Sequence, residues 1–341
     1  MRLVACGLAL CLAGLGTILL AAPGGAQEDV EDLSLDALLS TQISTAAKYA
    51  QTAGEAPASV WVVTAEDIQR FGYRTMADVL QGLCGFYGSY DRNYEYLGAR
   101  GFGRPTDYNN RILLLVHGHS LNENFYGSAP IGSHLALDLD AVERVEVVRG
   151  PGSVLCGTGA MFAVVNIVTR KGRHADGARL WAERASLGST RLTAAYGREL
   201  GNGVDLVASA LWGDVEGGDV HFAEFDDPAT NGGVAQDMDW DRYQGATVRL
   251  LHWGTSLQAF YSAREKGIPT GAWETVFNAP GTRSLDRYAF VEASLDRRVG
   301  TGRGLLLRAY LSHYRYEGTY FYAAMGRRWW WTSGTRGAAS R

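Results

Sequence analysis

The stretch VERVEVVRGPGSVLCGTGAMFAVVNIVTRKG, residues 142–172, has two runs of β-branched residues on either side of a glycine-rich segment. A phosphate-binding loop of this spacing needs a lysine and then a serine or threonine after its second glycine. Thr158 and Gly159 stand at those positions. We therefore interpret the glycines as turn residues. Gly150 and Gly152 can adopt positive φ on either side of Pro151, so that the chain reverses between two strands.

Composition restricts the class of protein. The chain has 341 residues, is 46% hydrophobic and carries a net charge of -4, so it can bury a core. Its only lysines are Lys48, Lys171 and Lys266. No basic surface for nucleic acid is expected from such a chain.

The first residues combine one positive charge at Arg2, an apolar run to about Ala22 and small residues at 24 and 26. This layout predicts a signal peptide over 1–26, hence an exported protein. Cys84 and Cys156 then remain. We predict two buried small hydrophobes, with a disulfide as the alternative. Neither zinc spacing nor another apolar run of about 18 residues occurs, so no cofactor, metal or transmembrane helix is predicted.

Three regions follow the leader. Residues 27–57 are polar and alanine-rich and are expected to be mobile. Residues 58–173 predict a small α+β domain with strands at SVWVV, RILLLVHG, VERVEVVRG and AVVNIVTR. In the same domain, Thr64 and Asp67 form a capping-box pattern, and a second helix is predicted over Thr75–Leu83 and closed by Gly85.

Residues 175–324 contain about seven segments of alternating polarity. In SLQAFYSARE, for example, Gln258 and Phe260 fall on one face while Leu257 and Tyr261 fall on the other. Short turns alternate with long polar loops at 213–239 and 266–285, and aromatic residues lie near strand ends. This pattern favours an antiparallel transmembrane β-barrel. A soluble β-sandwich, which also alternates, is the alternative.

Residues 59–86, 97–124 and 129–172 resemble, in order, the plug domain of TonB-dependent outer-membrane receptors. The resemblance implies a plug inside a barrel of about 22 strands, location in the Gram-negative outer membrane, and no enzymatic activity. It implies uptake of a scarce large nutrient of the ferric siderophore, haem or cobalamin class. The implied partners are TonB, the small-molecule or metal-chelate ligand and outer-membrane lipid, without nucleic acid.

The resemblance also suggests functional residues. The candidate TonB box, an extended segment that pairs with TonB as an added strand, is Thr41, Gln42, Ile43, Ser44, Thr45, Ala46 and Ala47. An unstructured linker without a partner is the alternative. Arg100 and Arg149 are expected to pair with barrel carboxylates, because an unpaired enclosed charge is costly. Hydrated surface positions are the alternative for these two. Candidates for ligand-facing plug loops are Asn109, Asn110, Asn122, Asn124 and Tyr126.

Other polar residues favour structural interpretations. His117 and His119 lack a third ligand nearby, so we interpret them as structural rather than metal-binding. An acidic segment is interpreted as a solvated loop, with cation attraction as the alternative. Its members are Glu224, Asp226, Asp227, Asp237, Asp239 and Asp241.

The end of the chain differs from the preceding strands. Residues 325–341 lose the alternation, lack acidic residues and do not end on an aromatic residue. About seven strands cannot enclose a folded plug. We therefore predict an aberrant tail and a truncated barrel. A non-transporting, plug-containing fragment is the alternative to a working receptor.

Overall fold

The computed structural model describes residues 59–152, 156–175, 177–298 and 304–322, together with the backbone of three further strands. These strands are β1 (Gln42–Ile43), β2 (Gln51–Thr52) and β19 (Arg328–Ser340). The predicted signal peptide, 1–26, lies outside the described residues. None of the helices in the described ranges is both long and apolar enough to cross a membrane.

An α+β domain comes first. A five-stranded sheet has the order β3-β8-β9-β6-β7, in which β6 and β9 are parallel, and β4 and β5 form a separate hairpin. Two helices follow β3 directly. The elements are β3 (Ser59–Thr64), α1 (Ala65–Phe71), α2 (Met76–Gln81), β4 (Phe86–Tyr90), β5 (Glu95–Ala99), β6 (Ile112–Val116), β7 (His119–Ser120), β8 (Val142–Arg149) and β9 (Ala163–Thr169). All four strands predicted here are present, whereas β4 and β5 were not predicted.

Capping side chains begin both helices. Thr64 and Asp67 form the predicted capping box of α1, and Thr75 and Asp78 form a second one at α2. The helix α2 is shorter at its C-terminus than predicted. The helix ends at Gln81, and the amide of Gly82 donates to the carbonyl of Asp78.

The glycine-rich segment connects two antiparallel strands, β8 and β9, as predicted. Gly150 has a φ of 122°. Gly152, however, is not among the positive-φ glycines. Its constraint is space, because a Cβ there would lie 2.8 Å from Cγ2 of Val164. Close packing rather than backbone handedness therefore requires this glycine.

An antiparallel sheet of eight strands follows. The seven predicted strands are present, and β19 extends the sheet into the 325–341 segment, where no strand was predicted. β10 and β19 are its edges. The strands β13 and β14, which follow β12 in the chain, form a separate small hairpin. The strands are β10 (Gly177–Arg184), β11 (Thr190–Leu200), β12 (Val204–Val215), β13 (Val220–His221), β14 (Val234–Ala235), β15 (Asp241–His252), β16 (Thr255–Gly267), β17 (Arg283–Arg298) and β18 (Gly304–Phe321).

The two faces of the sheet differ in an informative way. On β16, Gln258 and Arg264 are buried, whereas Leu257 is 45% exposed. On β18, Ser312 is buried, whereas its neighbour Leu311 is 57% exposed. Most polar groups of these strands therefore face the α+β domain, while the outward face is mainly apolar. This is the arrangement of a transmembrane barrel wall and the reverse of a soluble sandwich.

The sheet packs closely on the first domain. Phe260 and Phe290 belong to the same buried cluster as Ile68, Leu80 and other residues of the first domain. At Gly245 the two backbones meet, because a Cβ there would lie 1.8 Å from the carbonyl oxygen of Ala136. Only glycine permits this approach.

The cysteines differ from the prediction. Cys84 is exposed and has a free thiol, and Cys156 is half-buried. Cys84 lies in the turn between α2 and β4, outside the buried cluster. Their apolar sequence neighbours therefore did not predict burial.

Candidate functional site

A cavity of about 320 Å³ lies between loops of the first domain and the inner face of the sheet. Aromatic residues dominate its wall. The first domain contributes Tyr94, Tyr108, Phe125 and Tyr126, and the sheet and its loops contribute Trp273, Tyr288, Tyr314, Tyr316, Tyr320 and Tyr322. Such rings offer large apolar surfaces with polar tips, which suits a binding site for a small molecule.

The cavity lies toward the end of the sheet that carries the long loops. Successive strand pairings place Val215, Asp241, Lys266 and Ser284 side by side. The segments 216–240 and 268–282 therefore leave the sheet at this same end. Trp273 belongs to the second of these segments and lines the cavity. Loops commonly carry binding residues on a rigid scaffold.

Asn109 fixes one wall of the cavity. Its Oδ1 accepts from the amide of Leu97 at 2.8 Å, and its Nδ2 donates to the carbonyls of Glu95 at 2.8 Å and Ala129 at 3.4 Å. Its φ is 60°, a conformation that asparagine tolerates better than most residues. Asn109, predicted as ligand-facing, thus lines the cavity while its amide is engaged in tying three segments together.

Glu123 shapes the neighbouring loop. Its carboxylate accepts from the amides of Phe125, Tyr126 and Ser128 at 2.5, 2.6 and 3.0 Å. The loop is thereby folded around one buried acid, and Tyr126 is held with its ring stacked on Tyr108 at 5.8 Å between centroids. The sequence analysis missed Glu123. The sequence feature that could have indicated Glu123 is the polar, glycine-containing segment around it.

The remaining predicted loop residues have different positions. Tyr126 is 61% exposed and lines the cavity. Asn122 is occupied with backbone groups, accepting from Leu114 and donating to Ile112 and Gly127. Asn110 and Asn124 are exposed and are not among the cavity-lining residues. Of the five predicted ligand-facing loop residues, Asn109 and Tyr126 line the cavity.

Charged residues tie the first domain to the sheet. Asp239 accepts from Lys266 at 2.6 Å and from Arg92 of the first domain at 3.0 Å. Asp241 accepts from Arg264 at 3.0 Å and from the Ser133 hydroxyl at 2.6 Å. These two acids were interpreted as members of a solvated loop, and that was wrong, because each faces the first domain and is bonded there.

Arg100 and Arg149 do not make these ties. Arg149 donates to the carbonyl of Cys84 at 2.6 Å and to the Ser59 hydroxyl at 3.4 Å. Arg100 is exposed. Among the described residues, neither takes part in the ion pairs found. Arg149 ends β8 and Arg100 lies in the turn after β5, both within the first domain.

The histidines bond to separate protein groups. His117 Nε2 lies 2.9 Å from the Thr169 hydroxyl oxygen, and burial lowers the pKa of His117 well below its usual range. His119 Nδ1 lies 2.8 Å from a carboxylate oxygen of Glu292, and its ring stacks on Phe290. His117 lies in the turn after β6 and His119 lies on β7, so the two rings contact different partners. Within the described ranges, no cluster of three metal-ligating side chains is present.

Comparison with known proteins identifies the first domain. Residues 52–164 match the family described as TonB-dependent Receptor Plug Domain. These residues form a domain of the plug type. The plug contains the first-domain wall of the cavity, and the strands that follow it provide the opposite wall.

Relatives agree with this assignment. Over 136 residues the chain is 36% identical to the iron-regulated outer membrane virulence protein of Vibrio cholerae, covering 38% of this chain and 20% of that protein. Over 187 residues it is 26% identical to the vitamin B12 transporter BtuB of Vibrio vulnificus, covering 54% of this chain and 29% of that protein. The chain therefore spans less than a third of either relative.

Solved structures share the fold. The pyoverdine outer membrane receptor FpvA of Pseudomonas aeruginosa aligns over 82% of this chain and 40% of its own, with a TM-score of 0.62 and 19% identity. The ferric yersiniabactin uptake receptor FyuA of Yersinia pestis aligns over 78% of this chain and 42% of its own, with a TM-score of 0.57 and 17% identity. The fold is a plug followed by an antiparallel barrel wall, as predicted.

Proposed function

We propose that this chain serves outer-membrane uptake of a scarce chelate or cofactor of the ferric siderophore, haem or cobalamin class. One observation carries the proposal: the aromatic cavity lies between the plug loops and the sheet, at the long-loop end. The names of the relatives, an iron-regulated outer membrane protein and a vitamin B12 transporter, support the ligand class. The side chains serve binding and transport rather than catalysis.

Ligand binding tests this proposal. The full chain in detergent micelles is titrated with ferric siderophores, haem and cyanocobalamin, and quenching of intrinsic fluorescence is followed. We expect one class to bind, and Tyr126→Ala to weaken its binding by about tenfold, since aromatic side chains that a ligand covers contribute much of the binding energy. Phe71→Ala is the matched control, because Phe71 is 63% exposed and lies on α1 outside the cavity. Equal losses in both variants would count against the cavity.

We further propose that TonB supplies the energy by pairing with the segment Thr41–Ala47. An extended segment can add to a sheet through main-chain hydrogen bonds. Within it, Gln42–Ile43 is a short strand paired with Gln51–Thr52. The other box residues lie outside the described part of the chain. Binding of TonB to residues 42–43 would compete with this internal pairing.

The TonB proposal has its own test. Ile43→Pro removes an amide donor and is expected to abolish binding of the TonB C-terminal domain, measured by calorimetry. Glu28→Pro, in the same polar lead-in but before the candidate box, is the control. If Ile43→Pro binds TonB as tightly as the wild type does, the segment is not the TonB box. The ligand-binding proposal is unaffected by that result.

A further inference from the structure

The cavity has an unusual charge balance. Three carboxyl groups line it, those of Glu95, Glu123 and Asp286, while its described lining contains neither arginine nor lysine. Its single imidazole, His134, is neutral at physiological pH, because burial lowers its pKa to about 3. The lining therefore offers negative or neutral groups to a ligand.

One guanidinium lies behind this wall. The Arg264 guanidinium carbon is 5.7 Å from the centre of the Tyr94 ring. Its Nε donates to both carboxylate oxygens of Asp241, at 3.0 and 3.2 Å. Its charge is thus balanced by Asp241, and Arg264 itself is not part of the lining.

Two of the three acids are already engaged. Glu123 accepts from the loop amides described above, and Asp286 accepts from the hydroxyls of Tyr94 and Tyr314 at 2.8 and 2.9 Å. Glu95 differs, because its buried Oε2 has no hydrogen-bond partner among the described residues. A buried oxygen of this kind is costly unless a partner arrives. Glu95 is therefore the acid left for a ligand.

The aromatic rings of the cavity lining also favour neutral or cationic ligands over anions. Tyr94 and Tyr108 meet edge to face at 5.7 Å, and Trp273 and Tyr320 do so at 5.6 Å. Aromatic faces carry partial negative charge and attract cations and polarised C–H groups. Neither the rings nor the acids favour an anion.

We propose, building on the function proposed above, that this cavity selects its ligand by charge. It takes neutral or cationic chelates with hydrogen-bond donors for Glu95, and it discriminates against polyanionic complexes. Ferric tris-hydroxamates and cyanocobalamin belong to the first group. Trianionic ferric tris-catecholates belong to the second.

Competition between probes of different charge tests the inference. The full chain in detergent micelles is titrated at constant ionic strength with four probes: a neutral ferric tris-hydroxamate, a monocationic one with a free ammonium group, cyanocobalamin, and a trianionic ferric tris-catecholate. We expect at least one neutral or cationic probe to bind about tenfold or more tightly than the trianion. Tighter or equal binding of the trianion would overturn the charge selection alone. Binding of none would overturn the proposed function as well.

Two variants sharpen the test. Tyr126→Lys places a cation in the exposed wall of the cavity and is expected to tighten binding of the trianionic probe by about tenfold. Phe71→Lys places the same charge outside the cavity and is expected to leave it unchanged. Glu95→Gln is expected to reduce the advantage of the monocationic probe at about pH 8, where Glu95, with a pKa of about 7, is charged. Equal responses to the two lysine variants would show a general charge effect and contradict the proposal.

Discussion

Lys266 Nζ lies 2.6 Å from Oδ1 of Asp239, and only 1% of the lysine side chain is exposed. Arg92 of the plug bonds to the other oxygen of the same carboxylate. One acid of the sheet therefore compensates a cation on its own wall and a cation on the plug. This arrangement makes the join between plug and sheet sensitive to a single carboxylate.

Removing that carboxylate is expected to be strongly destabilising. Asp239→Asn leaves Lys266 buried without a counter-charge, which costs about 3–5 kcal/mol. The free energy of unfolding, measured by urea titration in micelles, should fall accordingly. Asp214→Asn is the control, since its partner Arg242 is largely exposed, and it should cost less than about 1 kcal/mol. Similar losses in the two variants would contradict burial of the Lys266 charge.

Gly245 is expected to tolerate no side chain. In Gly245→Ala the new methyl group would meet the carbonyl of Ala136, so that strand and plug must separate locally. Overpacking of this kind costs about 1–3 kcal/mol. Gly201→Ala is the control, because no atom lies within 4 Å of a Cβ built there. The midpoint of thermal unfolding should fall for the first variant only.

Asn109 is expected to matter for stability and for binding. Asn109→Ala removes the side chain that joins three backbone segments, and buried groups left unpaired cost about 1–3 kcal/mol each. Ligand affinity should fall with it, because the same segments form the cavity wall. Asn110→Ala changes an exposed neighbour and should alter neither quantity. A stable Asn109→Ala protein with full affinity would show that this wall forms without the amide.

Glu95 makes stability depend on pH. Burial, and secondarily repulsion from Asp78, raises the pKa of Glu95 to about 7, with Arg264 opposing and Asp241 adding to the rise. The folded state therefore binds more protons than the unfolded state between about pH 4.5 and pH 7. The contribution of Glu95 to stability is largest at acid pH and is lost as pH rises through this window.

Glu95→Gln isolates that contribution. Asp138, whose pKa burial raises to about 6, acts in the same direction as Glu95. His134, whose lowered pKa makes acid destabilising, acts in the opposite direction. The unfolding free energies of wild type and Glu95→Gln are measured at several pH values. The contributions of Asp138 and His134 cancel in the difference between the two proteins. We expect this difference to decline from pH 4.5 to pH 7, and a flat difference would exclude an elevated Glu95 pKa in the folded protein.

The sequence determined the elements and their order. β-branched runs, capping residues and strict alternation are local signals, because strand and helix geometry fix which neighbours share a face. They located β3, β6, β8 and β9, the capping box at Thr64 and the seven sheet strands. They also separated the residues of β16 into its two faces, whereas only the tertiary structure shows which face points outward.

Tertiary structure alone decided which polar residues meet. Asp239 is more than 140 residues from Arg92, and the distance between them depends on how the sheet packs on the plug. The cavity likewise combines Asn109, Glu95 and Trp273 from distant parts of the chain. Hydrogen bonds and ion pairs act over only a few ångströms, so their partners are set by chain packing and not by sequence spacing.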